Sequence, residues 1–302
     1  MTEPGGAGNP ERFSGFADLY DRTRPTPPAD LGPLLARYAG VARPVVVDLG
    51  SGTGASSRWA AGWAGSVTGI EPNDDMRAVA ESRPVPGAAY RKALAEDTGL
   101  VGRSTDVVLV VQAMHWLAPG PTLAEVARIL RPGGVLAVVD ADWPPVTGVA
   151  RAEQAWIDAH RRLRVFDARV AGGETGRQLR RPIAEDDPAL VGDDLADPHQ
   201  DRVLPEGVRS WAKREHLARM RASGAFGMTR ELLFNQAEPG GVDRFVDLLY
   251  SQGSYQTLRR LGLTDDELGT TAFETEVSQA FAGAPAAPGL TFCWRVRLGI
   301  AR

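Results

Sequence analysis

Val45-Val46-Val47-Asp48-Leu49-Gly50-Ser51-Gly52-Thr53-Gly54 is the stretch on which the reading of this chain turns. Three β-branched residues run into an acid and then into a loop with glycine at every second position. A short apolar run of this kind reads as a parallel strand buried on both faces. Glycines in the loop permit positive φ and let a ligand approach the bare backbone. Ala55 to Ala64 can then form a helix whose free N–H groups face that ligand. Strand, glycine turn and helix together describe a site for a nucleotide cofactor.

The pattern alternates onward from that unit. Ser66 to Glu71 reads as a second strand ending in an acid; Pro72 closes it, and Asp74 or Asp75 can cap a helix beginning near Met76. A weaker third strand spans Ala88 to Leu94 and leads into Ala95-Glu96-Asp97. Asp106 opens a fourth, Val107 to Val111, apolar on both faces and hence central, which runs into Gln112-Ala113-Met114-His115-Trp116. Leu123, Val126, Ala127 and Leu130 repeat at helical spacing. Arg131-Pro132-Gly133-Gly134 stops that helix, and Val135 to Val139 is the fifth strand. Strands alternating with helices predict an α/β fold with a doubly wound, mostly parallel sheet.

Ahead of the first strand, residues 1–12 are polar and glycine-rich, and a disordered tail is expected there. Phe13 to Tyr20 is a short amphipathic segment, Asp21 to Pro28 is too proline-rich to be helical, and Leu31, Leu34, Leu35 and Tyr38 form one face of a helix that Gly40 ends. Behind the fifth strand the alternation breaks. A helix carrying Trp156, His160 and Leu163 precedes a loop-like stretch, Asp167 to Pro205, long enough to be a lid or a disordered segment. Another helix follows from Glu206 to Ala222. Two late strands alternate, one through Phe226, Met228, Leu232 and Phe234, the other through Leu290 to Ile300. Such half-polar strands suit the antiparallel edge of a sheet. Between them lie helical segments at 242–252 and 254–261, a capping box from Thr264 to Glu267, and an apolar stripe of Phe273, Val277 and Phe281.

Composition narrows the field of functions. The 302 residues carry a net charge of −4, so nothing favours nucleic acid or an anionic membrane as partner. Cys293 is the single cysteine, which rules out an intrachain disulfide or a cysteine zinc cluster, and no metal site is expected. Met1 to Pro10 has no apolar core of a signal peptide, no apolar run approaches a membrane span, and a cytoplasmic protein is the expectation. Lys92 and Lys213 are the only lysines, so arginine carries almost all of the positive charge.

Taken together, Asp48 to Gly54, Glu71-Pro72, Ala95-Glu96 and Leu130-Arg131-Pro132-Gly133-Gly134 make the chain similar to class I S-adenosylmethionine (SAM)-dependent methyltransferases. The likeness is close over about Phe13 to Asp140 and extends in outline to the last two strands. Gln112 to Trp116 resembles the small-molecule type, similar to the trans-aconitate methyltransferase group. The resemblance implies a seven-stranded Rossmann-like sheet with an antiparallel edge strand and a helical cap. It divides the chain into a tail at 1–12, a SAM-binding core with leading helices at 13–142, a helical cap or lid insertion at 143–223, and the last two strands at 224–302 with a helical insertion at about 240–285.

What the resemblance implies for the site follows residue by residue. The backbone of Gly50, Ser51, Gly52 and Gly54, with Asp48 before it, would approach the methionine and ribose parts of the cofactor. Glu71 would accept the ribose hydroxyls, with Pro72 beside it; Met76, Ala95, Glu96 and Gln112 would complete the donor site. An acid common in the family near adenine is replaced here by Leu94. Tyr20 and Arg24 match a leading Tyr…Arg-Pro segment that closes over the cofactor, with the arginine near its carboxylate. His115 is the candidate base, or a residue that positions the cofactor. Tyr250-Ser251-Gln252-Gly253-Ser254 suits a wall of the acceptor pocket.

The implied reaction is methyl transfer from SAM, leaving S-adenosylhomocysteine, to a small organic acceptor. O-methylation of a carboxylate or hydroxyl is favoured, with secondary metabolism as the setting and a monomer or homodimer as the assembly. Gly50, Gly52, Ala55 and Glu71 also satisfy the dinucleotide fingerprint. An NAD-dependent oxidoreductase is therefore one alternative, although two lysines leave no Tyr-x-x-x-Lys pair. A SAM-binding protein of the same fold that catalyses a non-methylating reaction is the other.

Overall fold

The computed structural model describes residues 15–184, 187, 202–203 (backbone only), 209–284 and 289–302. The tail expected at 1–12 lies outside them, as do residues 185–186, 188–201 and 204–205 of the loop expected at 167–205. Two leading helices, α1 (Ala17–Thr23) and α2 (Leu31–Ala39), precede the first strand, β1 (Val45–Leu49). The alternation then runs α3 (Ala55–Ala61), β2 (Ser66–Ile70), α4 (Asp74–Ser82), β3 (Ala88–Arg91), β4 (Thr105–Val111), α5 (Pro119–Ile129) and β5 (Leu130–Ala141). Next come α6 (Ala150–Ala171), the short strands β6 (Arg202–Val203) and β7 (Arg209–Ser210), α7 (His216–Ala222) and β8 (Phe226–Glu238). Four helices, α8 (Val242–Tyr250), α9 (Gly253–Arg260), α10 (Asp265–Leu268) and α11 (Thr270–Ala282), lead to β9 (Leu290–Ala301).

One seven-stranded sheet runs in the order β3-β2-β1-β4-β5-β9-β8. The first five strands pair in parallel, whereas β9 pairs antiparallel with both β5 and β8. The reversed strand β9 thus lies second from the edge, and the outermost strand β8 meets it in antiparallel register. Apolar residues of the central strands divide by alternation between two cores. Val46, Val107, Leu109, Val135 and Val139 pack with α2, α6 and the helices between β8 and β9. Val47, Leu49, Val108, Val110 and Val138 pack with α5 and with Met220 of α7. Helices on both faces explain why these strands are apolar throughout.

Several local expectations change. Helix α1 runs through Thr23, into the stretch expected to be non-helical, because the restriction imposed by Pro25 falls on Arg24, which is extended at φ −65, ψ 140. Asn73, not Asp74 or Asp75, caps α4, its side chain accepting the Met76 N–H at 2.9 Å. Helix α6 continues to Ala171, past the loop start expected at Asp167. Of the helix expected over Glu206 to Ala222, α7 begins only at His216, and β7 and a 3₁₀ turn at Lys213–Glu215 come before it.

Arg131 gives the Arg-Pro-Gly-Gly segment a structural role. Its guanidinium reaches Asp106 Oδ1 at 2.6 Å, while Asp106 Oδ2 accepts the Val45 N–H at 2.8 Å. The three central strands are pinned together there, at the end of the sheet opposite the glycine loop. Among the described residues no helix is long and apolar enough to cross a membrane.

Candidate active site

Strand order reverses beside β1, and the crevice this leaves at the carboxyl ends of β1 and β4 is where α/β sheets place ligands. A cleft of about 970 Å³ lies there. Its floor is Gly50 to Thr53 with Ala55 and Ser56; one side is Glu71, Pro72 and Met76, the other Val111, Gln112, Ala113, Trp116 and Leu117. Tyr20, Arg24, Pro25 and Pro27 from the leading segment close it.

The three loop glycines are not equivalent. All have positive φ, between 54 and 80. A Cβ on Gly50 would lie 2.7 Å from Ala113 Cβ, and one on Gly54 would lie 2.3 Å from Tyr90 Oη and 2.9 Å from Ala80 Cβ. These two positions are bare because neighbouring chain packs against them. A Cβ on Gly52 would meet nothing within 4 Å, so the bare face of Gly52 is the one turned to open space beside the cleft.

Glu71 is buried at the cleft wall, and its two oxygens accept the Gly52 N–H at 2.9 Å and the Asn73 N–H at 2.8 Å. Burial pushes its carboxyl above the ordinary range, and these two backbone donors partly offset that. Each oxygen retains a lone pair for a further donor. Asp48 sits behind the loop and does not line the cleft. Its Oδ2 accepts from the hydroxyls of Ser56 and Ser57, each at 2.6 Å, at the start of α3. Burial raises its carboxyl to about 6 against those two hydrogen bonds.

Helix α1 is held over the loop by Asp21. Its Oδ1 accepts from Thr53 Oγ1 and from Arg58 Nη2, both at 2.6 Å, and Oδ2 pairs with Arg83. This clamp fixes Tyr20 and Arg24 at the cleft. The Arg24 guanidinium stands 4.5 Å from the Tyr20 ring centroid and 5.1 Å from that of Trp143, and donates from Nη2 to Ser251 O at 3.0 Å. Among the described residues its Nε has no partner, and none of their ion pairs involves Arg24. Burial lowers its pKa, with Tyr20 opposing. Arg24 as a whole is half-buried, and it lines the cleft.

At the end of β4 the backbone is strained. Gln112 has φ 53, a left-handed conformation that costs a side-chain-bearing residue about 1–2 kcal/mol and persists where the surroundings over-determine it. Its N–H bonds Val139 O at 2.8 Å, and its side chain accepts from Lys213 Nζ at 2.9 Å. Lys213 Nζ also lies 3.2 Å from Asp140 Oδ1, and Arg297 Nη1 donates to Asp140 Oδ2 at 2.7 Å. Burial pushes the Asp140 carboxyl up, but the charges of Lys213 and Arg297 outweigh it and hold the group below its usual range. His216 is fully buried beside this cluster, and burial lowers its imidazole to about 4.

The cleft gathers Tyr20, Arg24, Gly50, Ser51, Gly52, Glu71, Pro72, Met76 and Gln112 of the residues singled out from sequence. It does not include Asp48, Gly54, Ala95, Glu96 or His115. Gly54 is the N-cap of α3, Ala95 is core, and Glu96 Oε1 accepts the Ala118 N–H at 3.2 Å. His115 is buried in the 3₁₀ turn Met114–Trp116, which turns Trp116 to the cleft and sets the His115 Nδ1 3.9 Å from Asp140 Oδ1. That placement sets its side chain outside the residues that line the cleft. Sequence reasoning missed the network of Asp140, Lys213 and Arg297. The one signal for it was a lysine retained in a chain that otherwise uses arginine.

Residues 47–138 match the methyltransferase domain family. Over 131 residues, 42% of this chain and 51% of the relative, the sequence is 36% identical to an uncharacterized methyltransferase of Mycobacterium tuberculosis. Over 173 residues, 57% of this chain and 58% of the relative, it is 34% identical to the phthiotriol/phenolphthiotriol dimycocerosates methyltransferase of Mycobacterium leprae. The chain spans about half the length of these curated mycobacterial relatives. The solved structure of a candidate type II methyltransferase from Anaeromyxobacter dehalogenans superposes with a TM-score of 0.54 at 23% identity, covering 92% of this chain and 97% of that one. Its fold is the one described above. Residues 47–138 are thus similar to a methyltransferase domain set at the crevice of that sheet, in a fold shared with that solved structure.

Proposed function

We propose that the protein transfers a methyl group from SAM to a small organic acceptor, most favourably to a carboxylate oxygen. The observation that carries the cofactor is the pairing of two unmet polar features across one cleft. Glu71 offers a buried carboxylate with free lone pairs, and Arg24 a guanidinium whose buried Nε has no partner among the described residues. A ligand with a hydroxylated ring at one end and an anionic group at the other meets both, and SAM is such a ligand. Glu71 would accept its ribose hydroxyls, Arg24 would pair with its carboxylate, Gly52 would admit it to the backbone, and Pro72 and Met76 would flank the base. When bound, it supplies a methyl group on a sulfonium, already activated for in-line displacement.

The chain's own contribution is then to orient the two reactants and exclude water. Val111, Ala113, Trp116 and Leu117 form an apolar wall at the carboxyl end of β4, where an acceptor would stand. Among the described residues Glu71 is the only acid lining the cleft, and both its oxygens are engaged by backbone donors. A nucleophile that must first lose a proton is therefore poorly served, whereas a carboxylate is already ionised at neutral pH. The helical material at 143–223 and 240–285 would act as the cap that selects the acceptor, with Ser251, which meets Arg24, on its inner side.

The test has two stages. Calorimetric titration with SAM, S-adenosylhomocysteine and NADH should give micromolar or tighter binding of the first two and none of the third; NADH binding without SAM binding refutes the assignment. Incubation with SAM and a panel of acids, phenols, alcohols and amines, read by mass spectrometry, should then show a gain of one methylene on an acid. Methylation confined to amines or alcohols refutes the acceptor class while leaving the cofactor intact.

A further inference from the structure

We infer that Lys213 is a positioning residue for the cofactor cleft: it holds the strained Gln112 in place and ties the 209–216 segment to the end of β4. This inference deepens the methyltransferase reading and rests on it for the identity of the ligand. Lys213, Asp140 and Arg297 are 5%, 1% and 3% exposed, so three charged groups have been taken out of water together. Such clusters are commonly no more stabilising than apolar residues of the same volume. Stability alone therefore does not account for the cluster, and what it touches becomes the question.

It touches the cleft at one point. Lys213 Nζ lies 3.2 Å from Asp140 Oδ1 and donates at 2.9 Å to Gln112 Oε1. Gln112 lines the cleft between Val111 and Ala113 with a φ of 53. Arg297 occupies the other Asp140 oxygen at 2.7 Å and also donates from Nε to Glu231. Asp140 is thus fixed from one side by β9 and is free to anchor the ammonium on the other. Two residues before Lys213, the Trp211 N–H bonds His115 O at 2.9 Å, so the same segment grips the 112–116 turn by backbone and by side chain.

The residue type supports the same reading. Lys92 and Lys213 are the only lysines among 34 basic residues, and Lys92 is exposed and pairs with Asp74. A compact ammonium can serve one carboxylate oxygen and one amide oxygen from a single point, which a planar guanidinium cannot do in the same space. Removing the ammonium leaves Asp140 with Arg297 and therefore still paired, while Gln112 loses its acceptor-side restraint.

The experiment uses the full chain and the variants Lys213→Met, Lys213→Arg, Gln112→Ala and the Lys213→Met/Gln112→Ala pair. SAM affinity is measured by calorimetry, and hydrogen exchange over residues 111–117 is measured without ligand. Lys213→Met should weaken SAM about tenfold, Gln112→Ala similarly, and the pair no more than either alone, the non-additivity expected of residues that act through one contact. Lys213→Arg should fail to restore affinity. Exchange over 111–117 should quicken in Lys213→Met while other strands keep their protection. SAM affinity within twofold of wild type in Lys213→Met, or losses that simply add in the pair, overturn the inference. If the wild-type chain does not bind SAM, the methyltransferase reading fails, and unchanged exchange over 111–117 separately overturns the role of Lys213.

Discussion

Replacing Arg24 by methionine separates affinity from stability. In the folded chain Arg24 is half-buried, with no carboxylate partner among the described residues; a hydrogen bond to Ser251 O and the faces of Tyr20 and Trp143 are what offset its desolvation. A hydrogen bond from a charged donor contributes about 1.5–3 kcal/mol. Two cation–π contacts add about 0.5–2 kcal/mol each. The desolvation of a buried cation costs several kcal/mol, of the same order as that sum. Arg24→Met should therefore change the stability of the ligand-free protein by no more than about 1 kcal/mol, or about 2–4 °C in Tm. SAM binding should suffer far more, because the variant has nothing to pair with the ligand's carboxylate. Losing one charge-assisted contact of about 1.5–3 kcal/mol weakens the affinity by about 10- to 150-fold. Thermal melts of the apo proteins and calorimetric titration with SAM measure the two quantities independently. An Arg24→Met protein that binds SAM within twofold of wild type refutes the assignment of Arg24, and a large drop in apo Tm refutes the balance argued for its burial.

Three further outcomes follow from the same geometry. The Asp48 carboxyl titrates at about 6 in the folded chain and at its ordinary 3.8 when unfolded. Its contribution to stability is present in full below about pH 3.8 and is lost as pH rises through about 6, a swing of up to about 3 kcal/mol; Asp48→Asn should flatten that slope and raise Tm at pH 8, and denaturant melts from pH 4 to 8 that superpose with wild type contradict it. Gly52→Ala should cost only the left-handed strain of about 1–2 kcal/mol yet abolish SAM binding. Gly54→Ala, which adds contacts of 2.3 Å with Tyr90 and 2.9 Å with Ala80, should cost about 2–4 kcal/mol in urea denaturation, and equal losses at the two glycines would contradict the distinction. Asp21→Ala removes the acceptor for Thr53, Arg58 and Arg83; exchange over residues 17–24 should quicken and SAM affinity fall, and unchanged exchange there would show that α1 is held by other means.

What could be read from the sequence was what is encoded locally. The valine run, the alternating glycines and the acid after β2 each carry a backbone or burial signal within a few residues, and β1, its loop and Glu71 lie where those signals put them. The antiparallel pairing at the edge was legible for the same reason, since β9 alternates buried and half-buried residues from Leu290 to Arg295. Contacts between distant residues left no such trace. Lys213 meets Gln112 across 101 positions, and Arg297 meets Asp140 across 157. The left-handed backbone at Gln112 carries no glycine to announce it. For His115, given from sequence as a candidate base or a positioning residue, its place after β4 fixes the site of the turn and not the direction of each side chain. Helix α6 outran its expected end where Asp167, buried, accepts a hydrogen bond from Ser254 Oγ at 2.5 Å, a partner 87 positions away.

The antiparallel pair of β8 and β9 ends on a single rung, Glu238 opposite Leu290, so the whole insert between them departs from and returns to one point of the sheet. Geometrically it is a hairpin whose connection has grown into four helices. A cassette of that kind can be exchanged without altering the register of any strand, provided that the incoming piece brings an apolar underside. The residues it must cover are Leu290, Phe292 and Trp294, which Phe245, Leu249, Val277 and Phe281 of the present insert help to bury. Under the proposed function, grafting the corresponding segment from a relative with a different acceptor would change which molecule is methylated, provided that the incoming piece also offers Arg24 a carbonyl where Ser251 stands.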